Sequence, residues 1–358
     1  MMMDLAGMAE RYLTARDTFL SNARKAGWQT ESIAHPLQGP GGITIHTDIA
    51  SAGNPDSDYL LMVTSGTHGI EGYLGSEIQS RLLAEGIVAA DARDCHAVMV
   101  HAVNPYGFAW HRRVNEDNVD LNRNFIDFDA PLSVNEDYEE FYSLLNPVEW
   151  NEQYEETLKG EAAAAIARLG LGPVFKAVSG GQYRYPQGLQ YGGSGPSWSR
   201  QTIEAIWSRM MTGKKCATQI DIHTGLGEPG VGVLLTYGAE EQARIRRART
   251  MWEDIFVSPP PGSGDVMAQG VLGPRLEEMF PKEDVLAVVL EYGTLPPVDV
   301  LHGIAADNWL HHHGRIDSPA GSRIKQLMLD AFYLDDAGLR EKAYLRARDV
   351  VSAAGRYV

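Results

Sequence analysis

His68 and Glu71, in the run Thr64-Ser-Gly-Thr-His-Gly-Ile-Glu-Gly72, set an imidazole and a carboxylate three residues apart. That spacing brings both side chains to one side of a turn or an opening helix, where they could grip one cation. A third candidate ligand lies far along the chain. In Gln219-Ile-Asp221-Ile-His223-Thr-Gly, an apolar run again ends in a histidine followed by glycine. Two close ligands and one distant histidine make a three-ligand set, and catalytic zinc leaves its fourth position for water or substrate. Taken singly, the same residues read as two packed histidines and a carboxylate in the first turn of a helix.

Other residues add chemistry to that set. Glu291 closes the apolar run Val285-Leu-Ala-Val-Val-Leu290 and precedes Tyr-Gly-Thr294. A carboxylate there is costly to leave unpaired. Beside a metal-activated water it could take a proton as general base and pass it to the leaving group. Asn104-Pro-Tyr-Gly107 reads as a tight turn. The run from Arg113 to Phe125 carries two arginines and several amides, a composition suited to reading a carboxylate or stabilising an oxyanion.

These residues need elements that hold them. Tyr59–Thr64 reads as a short buried strand, Gly75–Glu85 as a helix and Ala97–Val103 as a second buried strand. Strand, helix, strand in that order implies a parallel crossover and an α/β sheet. Gly42–His46, Ala217–His223, Gly232–Tyr237 and Val285–Glu291 are further strand candidates, and strand ends of this kind form the ligand edge of open α/β folds. Helices are predicted over about 4–26, 320–333 and 337–353. Residues from about 130 to 200 change character: acidic and aromatic residues are dense, Asn151–Leu169 reads as a helix, and Gly180–Ser199 is rich in Gly, Tyr and Pro. This stretch is expected to be an insertion or lid within a single domain spanning 1–358, and Pro259–Gly264 a loop.

Composition narrows the function classes. Hydrophobic residues make up 44% and charged residues 22%, ordinary for a globular protein. With a formal charge of −16 and no basic stripe, nucleic acid is not an expected partner. Cys95 and Cys216 cannot form a disulfide framework and are read as buried thiols. No secretion signal and no run of the ~18–20 apolar residues of a membrane span are seen, so a cytoplasmic location without membrane contact is expected. His311-His-His313 is read as a polar loop or helix end, and Gly225–Gly230 lacks the Lys-Ser/Thr of a phosphate loop. Tyr183, Tyr185, Tyr191 and Trp198 are read equally as cleft or core.

The motifs in this order resemble those of the zinc metallocarboxypeptidases, the carboxypeptidase A-like funnelins. The resemblance covers roughly residues 55–300 and is closest to a bacterial branch that also carries Ser133-Val-Asn-Glu136 and Tyr191-Gly-Gly193. It implies a mixed, mostly parallel central sheet flanked by helices, and one Zn2+ per chain held by His68, Glu71 and His223. It assigns Glu291 as general base and acid, and Asn122 and Arg123 to the substrate carboxylate. Arg113, with adjacent Arg112 as the alternative, would polarise the scissile carbonyl, and Asp120 would orient His68. One departure is that Asp265–Glu283 holds no tyrosine that could close over substrate. Another is that Asp221-Ile-His-Thr is also similar to the aspartoacylase and succinylglutamate desuccinylase group, which removes an acyl group from an amino acid. The expected activity is hydrolysis of an amide next to a free carboxylate, most simply as a metallocarboxypeptidase acting on a peptide or acyl amino acid. Alternatives are an N-acyl amino acid deacylase, a catalytically idle zinc-binding protein, or a two-metal peptidase with Asp221 as the spare ligand. The oligomeric state is not expressed in the sequence.

Overall fold

A computed structural model of the chain describes residues 4–88, 95–239, 242–258 and 268–357; the predicted loop Pro259–Gly264 lies outside them. The first part of the chain forms α1 (Leu5–Lys25), β1 (Gln29–Gln38), β2 (Thr44–Gly53), β3 (Tyr59–Ser65), α2 (Gly72–Ala84), β4 (His96–His101) and α3 (Pro105–Ala109). Four helices follow: α4 (Glu136–Leu145), α5 (Glu152–Leu169), α6 (Leu171–Ser179) and α7 (Trp198–Met210). The remainder forms β5 (Cys216–Pro229), β6 (Gly232–Tyr237), α8 (Ala243–Met251), β7 (Phe256–Ser258), α9 (Leu272–Met279) and β8 (Asp284–Gly293). It ends with α10 (Pro297–His313), α11 (Pro319–Phe332) and α12 (Ala337–Gly355).

The strands form one sheet in the order β1-β2-β4-β3-β5-β8-β6-β7. Pairs β4/β3, β3/β5, β5/β8 and β6/β7 are parallel, whereas β1/β2, β2/β4 and β8/β6 are antiparallel. The fold is thus the expected mixed α/β sheet with a parallel centre. β3 lies inside it, and every one of its residues is buried. That explains why Tyr59–Val63 is apolar throughout and does not alternate. Leu61 and Val63 join the core under α1, α2 and α12, with Phe19, Ile78 and Val351. Leu60 and Met62 point the other way, into a core with Ile206, Trp207 and Leu276 from α7 and α9.

Helices α4–α6 lie in the stretch expected to be an insertion. Their apolar faces close on one another and on α10 through Tyr138, Phe141, Leu158, Val174, Val178 and Ala305. His311, His312 and His313 form the last turn of α10, and burial pushes His311 and His312 down to about 3 and about 4. Among the described residues, no helix is long and apolar enough to cross a membrane.

Candidate metal centre and active-site cavity

The carboxyl ends of β3, β5 and β8 lie side by side and carry the candidate residues. After Ser65 the chain turns through Gly66 at φ 68° and reaches His68, which precedes a 3-10 turn over Gly69–Glu71 and then α2. Register pairs Ser65 with Ile222 and His223 with Glu291, so adjacent strand ends deliver the distant histidine and the distant carboxylate. The Asn104–Gly107 turn docks directly on the His68 loop. A Cβ on Gly69 would stand 2.0 Å from the carbonyl carbon of Gly107, so only two glycine backbones allow this approach. Gly69 and Ile70 then donate their N–H groups to the carbonyls of Arg113 and Arg112, at 3.1 and 2.8 Å.

His68, Glu71 and His223 are buried, and their ligating atoms lie within 4.8 Å of one another. Among the described residues they are the one group of three such side chains so placed. Both imidazoles turn Nδ1 toward the Glu71 carboxylate, at 2.8 Å from His68 and 2.9 Å from His223. Both present Nε2 to a second carboxylate: Asp120 Oδ1 lies 3.0 Å from His68, and Asp221 Oδ2 lies 2.7 Å from His223. For His223, Nε2–H donated to Asp221 leaves the Nδ1 lone pair facing Glu71, the tautomer a metal ligand requires, while the Nε2 of His68 is shared between Asp120 and Arg113. A donor set of two imidazoles and one carboxylate, each imidazole backed by a carboxylate, fits zinc.

The electrostatics are those of a cation site. Burial alone would raise the Asp120 carboxyl, but Arg113, Arg123 and His68 hold it well below the usual range. Glu71 is likewise held low against its burial by His68 and His223. His223 is raised, because Asp221 and Glu71 outweigh its own desolvation. Glu291 goes the opposite way and is pushed up to about 8, first by burial and then by the charge of Glu71. One oxygen of Glu291 accepts from Leu226 N at 3.1 Å.

The arginines part company. Arg113 reaches the site: it pairs with Asp120, donates to Gln190 Oε1 at 3.0 Å, and its Nη2 lies 2.9 Å from His68 Nε2. Asn122 turns Nδ2 toward His223, while Leu272 N holds its Oδ1 at 3.0 Å. Arg123 lines the same cavity and spends three of its five N–H donors on backbone carbonyls, two on Ser179 O and one on Asn122 O. Arg112 does not reach the site, which corrects the expectation that it could contact substrate. It is buried in an ion triad, donating to Asp307 Oδ2 at 3.0 Å and Asn118 Oδ1 at 2.9 Å, with Lys325 on the other Asp307 oxygen. The neighbouring side chains thus diverge, Arg113 toward His68 and Arg112 into the core.

Three roles were not read from the sequence. Asp221 is engaged with His223 and accepts from the hydroxyls of Thr64 at 2.7 Å and Thr67 at 2.9 Å, which removes it as a spare second-metal ligand. Gln190 supports Arg113 from a left-handed backbone conformation, φ 57°. Tyr237 lines the cavity near Arg123 and Glu291. The Asp-x-His spacing was a signal for the first; nothing local marked the other two. The cavity, about 430 Å³, opens above His68, Glu71 and His223 and is walled by α5, α6 and α10.

Residues 8–346 match a family model described as "Protein of unknown function (DUF2817)". No curated protein matches the chain. Among solved structures, the chain is similar to carboxypeptidase A from Helicoverpa armigera at 11% identity and a TM-score of 0.46, covering 88% of this chain and 72% of that one. It is also similar to bovine thrombin-activatable fibrinolysis inhibitor, solved with a tick carboxypeptidase inhibitor, at 10% identity and a TM-score of 0.47, covering 100% and 99%. A succinylglutamate desuccinylase from Silicibacter sp. TM1040 is similar at 13% identity and a TM-score of 0.41, covering 80% and 67%.

Proposed function

We propose that this chain, which belongs to the DUF2817 family, is a zinc-dependent hydrolase of an amide bond next to a free carboxylate, acting in the manner of a metallocarboxypeptidase. The observation that carries the reading is the convergence of His68, Glu71 and His223 beside Glu291 in one cavity. His68, Glu71 and His223 would hold one zinc ion; zinc, when bound, polarises a carbonyl and makes water acidic.

The remaining roles belong to the chain itself. In its ionised form Glu291 takes a proton from the attacking water as the new C–O bond forms, and gives it to the amine nitrogen as the C–N bond breaks. The neighbouring positive charge of Arg113 favours the charged form of Glu291 and stabilises the oxygen that gains charge. Asn122 and the uncommitted N–H groups of Arg123 take the substrate carboxylate. Asp120 and Asp221 keep the two imidazoles aimed. A C-terminal peptide bond and an N-acyl amino acid present the same amide and the same carboxylate, so one mechanism serves both.

The test is zinc content by elemental analysis beside turnover, for wild type, His223→Ala and Glu291→Gln. Wild type and Glu291→Gln should each hold about one zinc per chain, and His223→Ala should lose it. Glu291→Gln should lower turnover by about 10²–10⁴-fold. A wild-type protein that fails to take up zinc overturns the reading, and an active Glu291→Gln variant removes Glu291 from its role.

A further inference from the structure

We infer that the acyl side of the cleaved amide is a long hydrocarbon chain, making the substrate an N-acyl amino acid with an aliphatic tail. This deepens the hydrolase reading and rests on it. The charge in the cavity is gathered at one end. Among its described lining residues the charged side chains are Glu71, Arg113, Arg123 and Glu291, all beside the metal ligands. Away from them the walls are Ile166, Val174, Phe175 and Val178 of α5 and α6, facing Leu301 and Ile304 of α10. Leu235 and Val289 of the sheet also line the cavity, Val289 close to Asn122, Asp221 and Tyr237.

Size, hydrogen bonding and charge select the occupant. An apolar cavity of about 150 Å³ takes a benzene ring, and this one measures about 430 Å³. The space exceeds what one aromatic side chain needs, even with room given to the amide and carboxylate. A peptide continuing in that direction would bring an N–H and a C=O with each residue. Helical walls cannot pair them, because the backbone groups inside a helix are already bonded to one another, and buried unpaired amides are penalised. Thr224 Oγ1 is committed to Phe332 O, and Ser179 O to Arg123. A hydrocarbon chain carries no such groups. A second carboxylate, as in a succinyl group, would find no cation at the apolar end. The apolar surface also continues outward: Leu171, Leu226 and Phe256 line the mouth while 50%, 39% and 59% exposed. A tail longer than the cavity would still find cover there.

The experiment measures kcat/KM of the zinc-loaded protein on N-acetyl-, N-octanoyl-, N-dodecanoyl- and N-succinyl-leucine and on a leucine dipeptide. Octanoyl should exceed acetyl by at least about tenfold, given the gain from each buried methylene. Phe175→Asp, in the half-buried wall, should bring that ratio toward one by lowering octanoyl turnover at least about tenfold more than acetyl turnover. Val298→Asp, on the first turn of α10, should act alike and guards against a folding failure in the first variant. Equal rates on acetyl and octanoyl, or a preference for succinyl or dipeptide, would overturn the tail and leave the hydrolase reading standing. If no amide is cleaved, calorimetric titration of N-dodecanoyl-leucine decides separately. Binding that weakens at least tenfold in Phe175→Asp supports the tail without the hydrolysis, and no binding to wild type overturns it.

Discussion

At the scale of single residues, the site depends on which nitrogen of each imidazole faces inward. Asp221 sets this for His223, and Thr64 and Thr67 in turn fix Asp221 from β3 and the loop beyond it. Asp221→Asn keeps the shape and, through its one oxygen, the bonds from the threonines, but it sets an NH2 group where His223 Nε2–H needs an acceptor and removes the charge behind the imidazole. Zinc affinity should fall about 10–100-fold with the fold intact, read by competition against a chromogenic chelator with circular dichroism as control. Unchanged affinity would mean Asp221 is only a strand residue. His68, Glu71, His223 and Glu291 were legible because each sits within a short motif at a strand end. The split between Arg112 and Arg113 was not, because Arg112 is claimed by Asp307, 195 residues further on, and no local pattern carries that information.

At the scale of elements, the His68 loop and α3 meet backbone to backbone at Gly69 and Gly107. Gly69→Ala places a methyl group where the Gly107 carbonyl carbon lies, and overpacking of this kind should cost about 3 kcal/mol or more. Urea unfolding should show it as a lower midpoint, with zinc content falling in parallel; a midpoint equal to wild type would refute the close approach. Legibility followed burial geometry. β3, β5 and β8 were readable because strands buried on both faces are apolar runs. β1 was missed: it is an edge strand whose sequence, QTESIAHPLQ, is mostly exposed and includes Pro36, so it carries no alternation. α10 was missed because it is buried on several sides, with His302, Asp307 and Asn308 inside beside Val300 and Leu310, which erases the one-faced apolar stripe. Of the wall, α5 was read as a helix over Asn151–Leu169, whereas α6 was not read as an element.

Across the whole molecule, buried neutral histidines tie stability to pH. His101, bonded to Ser76 Oγ at 2.8 Å, and His111, bonded to the Tyr73 hydroxyl at 2.9 Å, are pushed down by burial to about 4 and about 3. In the unfolded chain both return to the ordinary 6.5. The unfolded state therefore binds protons that the folded state refuses. Stability is intact above about pH 6.5 and is lost as pH falls toward the folded values, by roughly 3 kcal/mol for His101 alone at pH 4. Thermal unfolding of zinc-free protein at pH 7, 5.5 and 4.5 should show this slope, and His101→Gln should flatten it by about one proton; a slope unchanged in the variant would reject the assignment. One bond reaches across the molecule in another sense. Arg123 is fastened twice to the carbonyl of Ser179, the last residue of α6, so the guanidinium proposed to take the substrate carboxylate is tied to the apolar wall. On the proposed reading, head-group affinity and tail-length preference would be partly coupled through that tie. A lineage that widened the wall for a bulkier tail would shift its own carboxylate anchor, and would have to restore it before the new specificity became useful.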